Sequence, residues 1–238
     1  MQYTTIKSGI TNNYILHLDK DTNLLIDTGS KHDKKKFYKI LEAKGIALSS
    51  IKFIFITHIH ADHTGLLKEL LQKTKATLIY NAKGKQRLEA GKNNTNAYVS
   101  GYLVYTLTKL ISGFVETFQC FPNVVTDNYI NFDKQPLSKW NIELLELGGH
   151  TNTDVSLKIG NDLFCGDICM NTILNHKYFP CLCENKFELM KSWEKIINNK
   201  DITTLYLGHG KPITTADLAK DYKRWKNKGV LNLNKKEK

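Results

Sequence analysis

The chain predicts an α/β fold, on three observations. Apolar runs of strand length recur along it, among them Ile51 to Ile56, Ile142 to Leu147, Leu163 to Cys165 and Thr204 to Leu207. Stretches with apolar residues at helical spacing stand between these runs. The runs end abruptly in a glycine, or in histidine and aspartate, as strands do when they pass into a loop that must turn sharply or approach something closely.

Taken in order, residues 3–29 read as a β-meander containing Tyr14-Ile15-Leu16-His17-Leu18 and Asn23-Leu24-Leu25-Ile26-Asp27. Residues 33–44 form a helix, with Phe37, Ile40 and Leu41 on one face and Lys34, Lys35, Lys36 and Lys39 on the other. A second helix runs from Thr64 to Lys73 with Leu66, Leu67, Leu70 and Leu71 inward, and Thr77 to Tyr80 is a short strand. The helix from Asn185 to Asn198 has Asn185 as its cap and Glu188 three residues on, with an apolar stripe of Phe187, Met190, Trp193 and Ile197. Thr215 to Lys226 is a last helix, and the tail through Lys238 frays.

The densest chemistry follows the run Ile51 to Ile56. It is Thr57-His58-Ile59-His60-Ala61-Asp62-His63-Thr64-Gly65, with three histidines and an aspartate within residues 58–63. Imidazole nitrogens and a carboxylate suit a divalent metal of borderline softness. Four neighbouring ligands cannot all close one tetrahedral site, and a catalytic metal keeps a position open, so two metals would need ligands from elsewhere. His150, Asp167 and His209 supply them in order, each directly after a glycine that ends an apolar run. Of the eight histidines, His17, His32 and His176 are left as surface residues.

These elements resemble the metallo-β-lactamase-fold hydrolase superfamily. The matching pieces are Leu25-Ile26-Asp27-Thr28-Gly29, Thr57 to Gly65, Gly148-Gly149-His150-Thr151, Gly166-Asp167 and Gly208-His209-Gly210. They occur in the family order and cover residues 25–210. Gly148 stands where many members carry proline, which alters turn rigidity and no ligand. The resemblance implies a four-layer αββα sandwich with metals at one edge between the sheets. It implies that His58, His60 and His150 hold one metal, that Asp62, His63 and His209 hold a second, and that Asp167 bridges them. It also implies a hydrolase whose nucleophile is a bridging hydroxide, with Asp62 orienting it and passing a proton to the leaving group. Asp27 anchors the ligand loops from behind the ligands, and Thr57 and Thr151 are either anchors of the same kind or ordinary strand-end hydroxyls. Two Zn2+ ions are the default, and iron or manganese would fit the same mixed nitrogen and oxygen set.

The resemblance also narrows the substrate. The β-lactamases of this fold lack a bridging carboxylate and are exported, whereas this chain has Asp167. A glyoxalase II-like thioesterase fits the ligand set, although no basic cluster for glutathione stands out. Lactonases of this fold carry a tyrosine shortly after the bridging aspartate, but Asp167 is followed by Ile168-Cys169-Met170. The redox relatives replace a ligand histidine with glutamate and need an attached flavin domain. A carboxylic ester, lactone or thioester is therefore the expected substrate class, with a phosphodiester, or a non-catalytic metal-stabilised binding module, as alternatives.

Composition bears on partners and location. The formal charge of +11 raises the nucleic-acid alternative, but the basic residues are spread over Lys31 to Lys44, Lys83 to Lys92 and Lys220 to Lys238. The start at Met1 has no charged segment followed by an apolar one, and no apolar run approaches the ~20 residues of a membrane span. Five cysteines, Cys120, Cys165, Cys169, Cys181 and Cys183, make no Cys-x-x-Cys pair. The expectation is a cytoplasmic protein with a small-molecule substrate and no membrane partner. No linker divides residues 1–238, so one domain is expected. The connection between His63 and His150 is long for a sandwich. Its excess, residues 84–126, carries Tyr98, Tyr102, Tyr105 and other aromatics, which reads as one or two helices forming a lid or pocket wall, or the contact of a homodimer.

Overall fold

The computed structural model describes residues 2–93, 98–99, 120–172 and 177–227. A six-stranded sheet runs in the order β1 (Tyr3–Lys7), β2 (Asn12–Asp19), β3 (Thr22–Ile26), β4 (Ile51–Phe55), β5 (Thr77–Tyr80) and β7 (Tyr129–Asn131). A five-stranded sheet runs in the order β13 (Ile213–Thr214), β12 (Thr204–Leu207), β10 (Asp162–Gly166), β9 (Val155–Ile159) and β8 (Ile142–Glu146). A small ladder joins β6 (Tyr98–Val99) to β11 (Leu182–Cys183).

The period-2 alternation of the strands builds the layers. Tyr14, Leu16, Leu24, Ile26, Phe55 and Ile79 of the first sheet meet Ile142, Leu144, Val155, Leu157 and Phe164 of the second in one core between the sheets. The intervening residues Ile15, Leu25, Ile54 and Leu78 point outward, under helices α1 (Lys34–Ala43) and α3 (Leu67–Thr74). Leu163, Cys165, Leu205 and Leu207 point outward from the second sheet, under α5 (Lys186–Asn198) and α6 (Thr215–Asn227). Three apolar cores between four layers are the expected αββα sandwich.

The parallel pairings matter most for function. β3 pairs β4, β4 pairs β5, and β10 pairs β12 in parallel. Parallel neighbours need a crossover, here α1, α3 and α5, which leaves the carboxyl ends of β3, β4, β10 and β12 free to carry side chains. Asp27, His58, Asp167 and His209 follow those four ends. Asn12, 4% exposed, joins the sheets at this edge: its Nδ2 donates to Leu207 O at 3.1 Å and to Gly210 O at 2.7 Å. Tyr14 Oη donates to the same Leu207 O at 2.8 Å.

Several expectations shift. The helix expected from Thr64 to Lys73 is two pieces, a single turn α2 (Ala61–Thr64) and then α3. Gly65 breaks it, because its N–H donates to Gly29 O at 2.9 Å and its Cα packs on the backbone of Lys31 so closely that a Cβ there would collide. The cap at Asn185 is present, accepting from Phe187 N and Glu188 N, but the buried stripe of α5 is Leu189, Met190, Trp193 and Ile196, with Phe187 and Ile197 only half-buried. Cys165 and Cys169, which flank Asp167 in the sequence, sit in the outer core under α5 and α6. In the long connection, α4 (Lys85–Ala90) precedes β6, and Lys92 bridges Cys120, so the two described ends of the insertion meet. Residues 94–97 and 100–119, which hold most of the expected lid with Tyr102 and Tyr105, lie outside the described residues, as does the tail from 228.

Replacing Asn12 with alanine removes both bonds: Leu207 O keeps Tyr14 Oη, but Gly210 O loses its Asn12 donor, which together costs about 1–3 kcal/mol. Urea unfolding of Asn12→Ala is expected to show a lower midpoint at an unchanged m-value.

Candidate metal centre

Local chain geometry aims the motif. The chain bends at Thr57 and His58 after β4 and is extended at His60, which brings the His58 and His60 rings within 3.1 Å of each other. The helical turn α2 then presents Asp62 and His63 in succession. His150 follows β8, Asp167 follows β10 and His209 follows β12. All seven expected residues come together here. His58, His63, His150, Asp167 and His209 are buried, while the Asp62 side chain is 30% exposed and His60 is half-buried.

Two clusters share one oxygen. His58 Nε2 and His150 Nε2 each lie 3.1 Å from His60 Nδ1. His209 Nε2 lies 3.0 Å from Asp62 Oδ2, and His63 Nε2 lies 3.8 Å from it. Asp167 Oδ2 stands between, 3.2 Å from His209 Nε2, 3.4 Å from His63 Nε2, 3.8 Å from His150 Nε2 and 3.9 Å from His58 Nε2. The three groups with metal-holding geometry are accordingly His58, His60 and His150; Asp62, His63 and His209; and His58, His63 and Asp167.

The outer nitrogens decide which tautomer each ring holds. His150 Nδ1 is 2.8 Å from Leu182 O, and His209 Nδ1 is 3.0 Å from Ile10 O. A carbonyl only accepts, so both Nδ1 atoms carry the hydrogen. His63 Nδ1 donates to Asp27 Oδ2 at 2.8 Å. Thr57 Oγ1 gives its hydrogen to Asp27 Oδ2 at 2.9 Å, and therefore accepts from His58 Nδ1 at 3.1 Å. In the neutral rings all four Nε2 atoms then face inward as bare acceptors. An edge of about 3.3 Å follows from tetrahedral zinc–nitrogen bonds of about 2.0–2.1 Å. The observed 3.1 Å between the acceptors of His58, His60 and His150 is close to it.

Two further observations test the fit of a cation. Buried His63 Nε2 and Asp167 Oδ1 have no hydrogen-bond partner. Gly208 keeps its place clear, since a Cβ there would run into Asp167 Oδ1 and would stand 2.7 Å from His63 Cε1. The residues present fit a divalent metal at either cluster.

Electrostatics divide the site the same way. Burial, helped by His150, pushes His60 down to about 3, and burial with the neighbouring imidazoles pushes His58 well below its ordinary value. Burial alone would lower His63 and His209 too, but Asp167, with Asp27 and Asp62, outweighs it. His63 is raised well above its ordinary value and His209 up to about 10. Burial would raise Asp62 and Asp167, and the His63 and His209 side chains hold both below the usual carboxylate range instead. His58 and His60 are therefore held as neutral nitrogen donors, while His63 and His209 draw positive charge onto Nε2, where a cation would stand.

Of the residues set aside from the sequence, His17 is a strand residue held by Thr4 Oγ1 and Asn23 Oδ1. His32 is exposed beside Asp62, and His176 lies outside the described residues. Thr57 proves to be an anchor between Asp27 and His58, while Thr151 ties the turn after His150 to Asp154 at 2.6 Å. The carbonyls of Ile10 and Leu182, which orient His209 and His150, carry no signal in a sequence, because every residue has one.

Fold and site together define a metal-dependent hydrolase of αββα type. Residues 7–209 match the family model of the metallo-beta-lactamase superfamily, and the chain belongs to that superfamily. The chain is similar to hydroxyacylglutathione hydrolase 1 of Vibrio vulnificus, 24% identical over 229 residues that cover 96% of this chain and 74% of that protein. It is 34% identical over 79 residues to the anaerobic nitric oxide reductase flavorubredoxin of Salmonella typhi, which covers 33% of this chain and 16% of that protein. Among solved structures it is similar in fold to an archaeal metallo-beta-lactamase superfamily protein from Sulfolobus tokodaii, at TM-score 0.67 and 20% identity, covering 93% of this chain and 85% of that one. A metallo-beta-lactamase from Cronobacter sakazakii superposes at TM-score 0.68 and 15% identity, covering 98% of each chain. No helix among the described residues is long and apolar enough to cross a membrane.

Asp27 tests the tautomer argument. Its φ of 57° is a conformation that asparagine tolerates, so Asp27→Asn keeps the backbone. Turning an amide NH2 toward His63 Nδ1 forces the ring hydrogen to Nε2. Metal affinity at the Asp62, His63 and His209 cluster is expected to fall by about 10–100-fold, as for other groups that orient a ligand. Chelator competition on Asp27→Asn, with circular dichroism to check the fold, measures it.

Proposed function

We propose that the chain is a two-metal hydrolase of a carboxylic ester, lactone or thioester. His58, His60 and His150 would hold one divalent ion, Asp62, His63 and His209 a second, and Asp167 would lie between them. The single observation that carries this reading is Asp167 Oδ2, which lies within 3.9 Å of four Nε2 atoms drawn from both clusters. When bound, such a pair supplies a water acidified to near neutral pH and polarises the substrate carbonyl. Zinc suits the donor set, with iron or manganese as the other fits.

The chain's own residues do the rest. His58 and His60, held neutral by burial, bind without adding charge. Asp62 is the one partly exposed carboxylate of the set; it accepts from Thr11 Oγ1 at 3.2 Å, which leaves it placed to pass a proton toward a leaving group at the cavity beside it. Burial of His58, His63, His150, Asp167 and His209 keeps bulk water from them and strengthens every charge interaction among them. The relative at 24% identity is named a hydroxyacylglutathione hydrolase, which supports an acyl substrate. All five histidine positions of the ligand set are histidine here, against the glutamate replacement expected of redox relatives. Several surface lysines are already paired with carboxylates, Lys34 and Lys73 with Glu69 and Lys83 with Glu146, which argues against a continuous phosphate-binding face.

Metal analysis of the purified active protein is expected to give close to two transition metals per chain. Asp167→Ala is expected to lose at least one of them and to lower kcat/KM by about 10³-fold or more, the scale of removing a principal electrostatic group. One tightly held metal in fully active protein would overturn the two-metal reading. A panel of thioesters, lactones, a chromogenic phosphodiester and a cephalosporin tests the class. Turnover dominated by the phosphodiester would replace the acyl reading.

A further inference from the structure

A cavity of about 190 Å³ opens beside Asp62. Its wall comes from the β1–β2 turn at Ile10, from Lys31 and His32 after β3, and from Ala61 and Asp62 at the start of α2, with Cys120 at the side. Hydrogen bonds tie these loops together. Thr11 Oγ1 donates to Asp62 Oδ2 at 3.2 Å, and Gly65 N donates to Gly29 O at 2.9 Å, just before Lys31. The wall is therefore preformed against the metal centre.

Two of its residues have exposed side chains that take no part in the core. Ile10 is 72% exposed, an apolar side chain at a turn tip whose backbone carbonyl orients His209. Lys31 is exposed and, among the described residues, its ammonium makes no ion pair, whereas nearby Lys34 is paired with Glu69. An unpaired cation beside an apolar surface, at the edge of a candidate metal centre, is suited to a short chain with an anionic end. At about 30 Å³ per water-sized group the cavity takes about six heavy atoms.

We propose that this cavity is the acyl pocket, in which Lys31 binds a carboxylate at the far end of a short acyl group whose methylenes lie against Ile10. The inference rests on the ester, lactone or thioester reading above. Acidic acyl groups are also drawn by the chain's formal charge of +11.

The test compares succinyl and butyryl thioesters of N-acetylcysteamine, which differ only in the terminal carboxylate. The metallated protein is expected to prefer succinyl by about tenfold in kcat/KM, the worth of one partly exposed charge-assisted hydrogen bond. The preference should shrink as salt is added. Lys31→Met is expected to bring the ratio near one through KM, and Lys31→Arg to restore it. A second arm needs no turnover: succinate and butyrate are titrated into Co2+-substituted protein, followed by its visible spectrum. Succinate is expected to bind about tenfold more tightly to the wild type and to lose that margin in Lys31→Met. Equal binding of the two acids, or a margin that survives Lys31→Met, would overturn the pocket assignment. Selective succinate binding without turnover of either thioester would uphold the pocket and overturn the thioester reading beneath it.

Discussion

Five imidazoles and two carboxylates converge on a space a few ångströms across, with their lone pairs turned toward one another. In a neutral protein interior that arrangement is repulsive, and nothing local in the chain relieves it. It persists because four of the five imidazoles are held from behind: His63 by Asp27, His58 by Thr57, His150 by the Leu182 carbonyl and His209 by the Ile10 carbonyl. These outer bonds fix the tautomers, and the tautomers fix the need for positive charge at the centre. Protons or cations can meet that need, and the 3.1 Å spacing of His58 and His150 from His60 is close to the edge of a metal polyhedron.

The sandwich exists, in this view, to bring that second layer of partners to one edge. The orienting groups come from the β1–β2 turn, the end of β3, the end of β4 and β11, which no single helix or hairpin could gather. Parallel pairing makes it possible. Crossover helices send β3, β4, β10 and β12 out with their carboxyl ends free, and the two sheets are joined at that edge by Asn12 and Tyr14 reaching the carbonyl of Leu207. The inter-sheet core of Tyr14, Phe55, Phe164 and their neighbours then keeps the two halves from sliding, because close-packed side chains do not deform continuously.

The same edge separates reaction from selection. The ligands can contact only a reacting group, so discrimination falls to the loops around them. Those loops are short and doubly used. Ile10 orients a ligand through its carbonyl and lines the cavity with its side chain; the segment after Gly29 packs on α2 and carries Lys31 to the same cavity. The insertion is rooted there as well, since Cys120, which bridges Lys92, is also part of the wall. A shift in the backbone of the β1–β2 turn therefore alters the orientation of His209 and the shape of the cavity together.

By itself, the sequence determined the class of fold and the seven candidate ligands that the fold brings together. Strand runs of period two and helical stripes between them are local patterns, and His58, His60, Asp62, His63, His150, Asp167 and His209 are side-chain types with specific chemistry at strand ends, so both can be read along one dimension. It also determined the cap at Asn185, a contact between residues a turn apart. The break at Gly65 was hidden, because it comes from a hydrogen bond to Gly29 far back in the chain. So was the true buried face of α5, where packing against the second sheet moved the stripe to Leu189 and Ile196. The placing of Cys165 and Cys169 in the outer core followed from strand direction at β10, which residue types do not encode. Only the tertiary structure decided which backbone carbonyls orient His150 and His209, and that Lys31, one surface lysine among many in the sequence, stands beside Asp62. The reason is physical: these are long-range contacts of groups that every residue, or every lysine, possesses, and only the packed chain singles them out.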